Sequence, residues 1–125
     1  MQKSNVSLSL GRQLWAARHR AQITIKELAS KAGLSTTAVY GIERPHGSGR
    51  TRTLVRLAKA LGLNLRIPDL AALAKARGLS EAKLALVAGV AFDTVHSMML
   101  DPFSGNLRTL EKVCTVLDYP INLVI

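Results

Sequence analysis

The sequence predicts an all-α fold: two tandem helical bundles, each ending in a short β-strand, with the two strands pairing as a ribbon. Three observations predict it. Apolar residues recur at helical spacing between breaks made of Gly, Pro and Ser. A shift of 56 residues lays the second half of the chain over the first without a gap. Each half closes on a stretch that alternates apolar and polar residues, Leu63–Ile67 and its counterpart Tyr119–Leu123. Pro68 prevents a simple helical continuation and divides the chain into units 1–67 and 68–125.

A first helix is expected from Leu8 or Leu10 to about His19, with Leu10, Leu14 and Ala17 on one face and Trp15 beside them. Arg12, Arg18, His19 and Arg20 make its polar side basic, and cations in a last turn suit the helix dipole. Thr24 and Glu27 fit a capping box that opens a second helix through Leu28, Ala29 and Ala32. Gly33-Leu34-Ser35 breaks the pattern, and a short third helix follows through Ala38, Val39 and Ile42. Two short helices joined by a tight turn containing Gly make a helix-turn-helix, whose second helix can enter the DNA major groove. The loop Arg44–Arg52 is rich in breakers and bases, and Thr53 is expected to cap a fourth helix carrying Leu54, Leu57, Ala58 and Leu61.

Under the 56-residue shift, Leu28-Ala29 meets Leu84-Ala85 and Ala32-Gly33 meets Ala88-Gly89. Val39 meets Val95, Ser48-Gly49 meets Ser104-Gly105, and Arg52-Thr53-Leu54 meets Arg108-Thr109-Leu110. Helix, turn, loop and strand share one register, which chance similarity between helix-rich segments does not readily give.

Nearly half of the 125 residues are apolar, enough for a buried core. No apolar run approaches the roughly 18 residues of a membrane span, and the start shows no secretory leader, so a cytoplasmic protein with no membrane partner is expected. The lone Cys114 reads as a small buried hydrophobe, and no metal site or cofactor is expected. Net charge is +9, and it is segregated: residues 1–67 carry twelve Lys or Arg against Glu27 and Glu43, whereas residues 68–125 carry five against six acids. Confinement of the charge to one half points to a polyanion docking there, nucleic acid before an anionic membrane.

The stretches LGRQLWAARHRAQI, TIKELASKAGLSTTAVYGIER and TLVRLAKALGL resemble the Cro/C1-type (XRE) helix-turn-helix family of repressors, over nearly all of residues 8–67. LSEAKLALVAGVAFDTVHSMM and LRTLEKVCTVLDY resemble it more weakly. The resemblance implies lambda-repressor-like bundles and sequence-specific binding of double-stranded DNA. Carried over by position, it starts the recognition helix near Ser35 and turns Thr36, Thr37 and Tyr40 toward the groove. Lys26 would meet a phosphate, and Arg44, Arg50 and Arg52 would grip the flanking backbone. Arg18 and Glu43 occupy positions of a structural ion pair. Their counterparts are Ala74 and Met99, so both charges are missing together from the second unit.

In that unit Thr36, Thr37 and Tyr40 become Phe92, Asp93 and His96, and its loop 101–106 carries no base. Phe92, Met98 and Met99 therefore read as packing or partner-contact residues. Two arrangements are open for the strands, with Leu65, Ile67, Ile121, Leu123 and Ile125 as contact residues. They pair within the chain, or they pair between two chains, and a homodimer with two basic units is the expectation because repressors of this type read two half-sites.

The function expected is a transcriptional regulator, a repressor or autoregulator of a phage or mobile element. The rivals are an antiactivator that captures a protein partner through the second unit and a DNA-binding antitoxin. An enzyme is not expected, since no paired carboxylates, catalytic triad or P-loop is visible.

Overall fold

Capping residues and glycine turns cut the chain into short helices, and a computed structural model describes the result for residues 9–44 and 49–125. These residues form α1 (Leu10–Arg20), α2 (Ile25–Ala32), α3 (Thr36–Glu43), α4 (Thr51–Ala60) and β1 (Asn64–Leu65). There follow α5 (Leu70–Ala76), α6 (Glu81–Ala88), α7 (Phe92–Leu100), α8 (Leu107–Val116) and β2 (Leu123–Val124). Residues 1–8 and 45–48 lie outside the described residues, and with them the alternative helix start at Leu8, the reading of the N-terminal stretch and part of the expected basic loop.

Most caps are the ones a helix start needs chemically. Ser9, Thr24, Ser35, Asp69, Ser80 and Asn106 each accept a backbone N–H of the helix they precede. At α2 the reciprocal bond is also made, Thr24 N–H to the Glu27 carboxylate at 2.8 Å. Hydrogen bonding from Thr24, its backbone N–H above all, holds the Glu27 carboxyl below its ordinary value. Gly33 and Gly89 end α2 and α6 in the left-handed region, at φ 70° and 71°, which a side chain would oppose. The chain then bends by 119° between α6 and α7, an angle typical of a helix-turn-helix. No single helix among the described residues is long and apolar enough to cross a membrane.

One apolar cluster runs through the molecule. Leu14, Leu28, Val39, Ile42, Leu54 and Leu57 fill it on one side, and Leu84, Val95, Leu110, Val113 and Leu117 on the other, all essentially inaccessible. Each such side chain contributes about 1.5–3 kcal/mol through burial.

The two sides are joined by hydrogen bonds as well as by packing. Leu10 N–H donates to the Glu111 carboxylate at 2.8 Å, so an acid on α8 caps α1. Gln13 donates to the Ile121 carbonyl and accepts from Leu123 N–H, fastening β2 to α1. β1 and β2 pair antiparallel within the chain, Asn64 with Val124 and Leu65 with Leu123. Thr51 N–H donates to the Gly105 carbonyl, and Leu107 N–H to that of Gly49.

Several expectations are corrected. α4 begins at Thr51 and not after Thr53, because the bridge between Arg50 and Asn106 fixes the backbone immediately before it. Each strand is two residues long instead of five, and β2 lies at Leu123–Val124, overlapping the expected Tyr119–Leu123 only at Leu123, because the antiparallel register sets it against Asn64 and Leu65 and not at the position the 56-residue shift gives. Leu65, Met98 and Ile121 are buried in this chain's own core and present nothing to a partner. The strands also need no second chain, each being the other's partner.

Candidate nucleic-acid interface

The turn after α2 is built to present α3. The Gly33 backbone reverses the chain, and Leu34 N–H bonds back to the Ala29 carbonyl at 2.9 Å. Ser35 Oγ then accepts Ala38 N–H at 3.1 Å. With its start fixed, α3 buries Val39 and Ile42 against α1, α2 and α4 and leaves Thr36, Thr37 and Tyr40 outside. Tyr40 is 60% exposed, high for an aromatic residue, and needs a wet or ligand-facing environment.

Lys26, Thr36 and Tyr40 line one shallow groove together with Thr24, Gln22 and His19. The structure thus brings together an ammonium, two hydroxyls and an aromatic ring on the face of α2 and α3. Ser35 sits at the same end, but its oxygen is committed to the cap. Arg44 follows α3 directly and is exposed, as is Arg50 before α4. Arg52 is placed differently: its guanidinium reaches across to the Asp101 carboxylate at 2.6 Å. Both partners are largely in water, where such a pair is worth little, so a phosphate can compete for Arg52.

Behind this face lies a bidentate ion pair. Arg18 Nε and Nη2 donate to the two Glu43 oxygens at 2.8 and 2.9 Å, with both side chains buried. Arg18 Nη1 also donates to the Ile23 carbonyl at 3.0 Å. Hydrogen bonding to Glu43 raises the guanidinium above its ordinary value. Arg18 thereby ties the last turn of α1, the α1–α2 connection at Ile23 and the end of α3.

Three supporting residues were missed from the sequence. Arg56 of α4 donates to the Ala32 carbonyl at 2.9 Å, capping the end of α2 at the turn. Its signal was a basic residue on the polar face of α4, which resembles any solvated charge. A Cβ on Gly11 would lie 2.1 Å from the Ile42 carbonyl oxygen, so α1 and α3 meet where only hydrogen fits. Thr51 is fully buried, and its hydroxyl has no hydrogen-bond partner among the described residues.

The equivalent face on α6 and α7 is apolar and partly acidic. Phe92 is 48% exposed and stacks on the His96 ring at 6.1 Å. His96 Nδ1 lies 2.8 Å from the Glu81 carboxylate. Met99 is half-buried and Ile125 stands free at the end of the chain. Ile67 and Leu123 are partly covered by the core. No group of three metal-ligating side chains occurs among the described residues.

Among known proteins, a family model described as helix-turn-helix matches residues 16–67, which span the C-terminal end of α1, all of α2–α4, and β1. No curated protein and no solved structure matches the chain.

Proposed function

We propose that the helix-turn-helix matched over residues 16–67 binds double-stranded DNA sequence-specifically and that the chain regulates transcription. The observation that carries this reading is the exposed set Thr36, Thr37 and Tyr40 on α3, with Lys26 of α2 beside it, braced from behind by Arg18 and Glu43. Thr hydroxyls and methyls suit base edges and thymine methyls, and the Tyr40 hydroxyl can reach phosphate. Arg44 and Arg50 are exposed on either side of the loop after α3, and the half that carries the face holds the protein's excess positive charge. Repression or autoregulation is the output in this reading, since a protein seated on a promoter excludes polymerase without further chemistry. A mobile element or phage is its proposed setting.

The test is binding of a selected duplex at several salt concentrations. Arg44→Ala and Arg50→Ala should each weaken binding and reduce the slope of log K against log salt by about 0.9 per lost phosphate contact. Thr37→Ala with Tyr40→Ala should change which sequences are preferred. Wild-type protein that shows no preference among duplexes would reject the reading.

A second reading is favoured by Leu86 and Val87, 75% and 54% exposed on α6, where the first half has Ser30 and Lys31. Such a patch suits a protein partner, as an antiactivator would need. Leu86→Asp should then abolish capture of that partner while DNA binding persists.

A further inference from the structure

The bonds between the two halves have a symmetry of their own. With residue i in the first half matched to i+56 in the second, α2 coincides with α6 and α4 with α8 at both ends. The bridge between Arg50 and Asn106 then joins a residue to its own counterpart. The bonds Thr51 N–H to Gly105 O and Leu107 N–H to Gly49 O are one interaction and its image, exchanging 49 with 105 and 51 with 107. The ribbon adds a second antiparallel contact between the halves, Asn64 with Val124 and Leu65 with Leu123. An antiparallel pairing that meets on counterpart residues has a local two-fold axis at the meeting point. One such point occurs, at Arg50 and Asn106, and the counterpart helices α4 and α8 pack against each other as well.

This is the arrangement of a symmetric dimer, made within one chain. Operator symmetry mirrors protein symmetry, and two-fold-related recognition helices take half-sites about one helical turn apart. Here α2 and α6, and α4 and α8, keep the same bounds under the shift while the side chains differ. α3 presents Thr36, Thr37 and Tyr40, and α7 presents the exposed Phe92, Asp93 and His96. Phe suits a thymine methyl, and a carboxylate suits the amino group of cytosine, so α7 is able to read bases that α3 does not.

Resting on the DNA reading above, we infer that a single chain is the complete DNA-binding unit: α3 and α7 lie on one duplex about a pseudo-two-fold axis and read an asymmetric site with two unlike half-sites. The homodimer expected from the sequence is then unnecessary for two-site recognition.

Selection of randomised duplexes by the full chain, followed by the mass of the complex, tests this. One chain per duplex is expected, on a motif of two dissimilar halves whose centres lie about 10–10.5 base pairs apart. Two chains on a palindrome would overturn the inference and leave DNA binding intact. Failure to enrich any duplex would overturn the DNA reading itself, and the inference with it. A triple variant, Phe92→Thr, Asp93→Thr and His96→Tyr, copies the α3 residues onto exposed positions of α7. It should select an inverted repeat of the α3 half-site, bound about tenfold or more tighter than by wild type, still with one chain per duplex. An unchanged motif from the folded variant would overturn the placement of α7.

Discussion

Arg18 and Glu43 face each other through two hydrogen bonds of 2.8 and 2.9 Å, buried between α1 and α3. Removing one partner leaves the other charged and without its counter-ion. Glu43→Gln or Arg18→Met should therefore each cost about 3–5 kcal/mol in denaturant unfolding. The double change Arg18→Ala with Glu43→Met installs the residues found at Ala74 and Met99, and it should cost less than the sum of its parts. Strictly additive losses would show that the pair is not coupled.

Gly11 gives a test whose direction separates packing from propensity. Alanine is the better helix former by about 1 kcal/mol, so an open site would make Gly11→Ala stabilising. With the Ile42 carbonyl 2.1 Å from the added carbon, the backbones of α1 and α3 must separate. The variant should lose about 1–3 kcal/mol and melt several degrees lower. A higher melting temperature would mean that the two helices do not cross this closely.

Glu111 links stability to pH. Its burial raises the carboxyl above the ordinary value of 4.5, although the Leu10 N–H and Arg108 pull the other way. Between the ordinary and the raised value, the folded chain holds a proton that the unfolded chain has released. Stability contributed at Glu111 is therefore present at low pH and falls as pH rises through that window. Glu111→Gln keeps an acceptor for Leu10 and removes the ionisation. Thermal melts in series from about pH 4 to pH 7 should show the variant gaining on wild type as pH rises, and parallel curves would contradict the assignment.

Cys114 is buried among apolar neighbours, and burial pushes its thiol up to about 11. Thiolate is then scarce at neutral pH and shielded as well. Modification by an exposed-thiol reagent should be slow in native buffer and should accelerate with the fraction unfolded in denaturant. Rapid labelling of native protein would place the thiol at the surface.

Local chemistry made much of the fold legible. The Thr24–Glu27 box, the glycine turns and the apolar faces act within a few residues, and helix ends follow from them. The ion pair was legible because the resemblance to the repressor family implies a pair at these positions, and because the two change together between the halves. Long-range geometry was not. α4 starts at Thr51 because of a bond to Gly105, which no local pattern announces. Met98 points into the core and Arg52 reaches Asp101 because of how the two halves meet, and periodicity along one helix is blind to that. The exposed face of α3 could be read from its turn motif, whereas the close approach at Gly11 depends on a second helix 31 residues away.

The ribbon between β1 and β2 has a consequence for how the protein responds to its own abundance. Partners that must find each other in solution separate as they become scarce, and their melting then depends on amount. Halves that belong to one molecule cannot be diluted apart. If one chain is the complete DNA-binding unit, as inferred above, a cell with a few copies of this protein and a cell with many hold the same assembled species, and occupancy of its site should rise in simple proportion to copy number at low levels, with no threshold to cross.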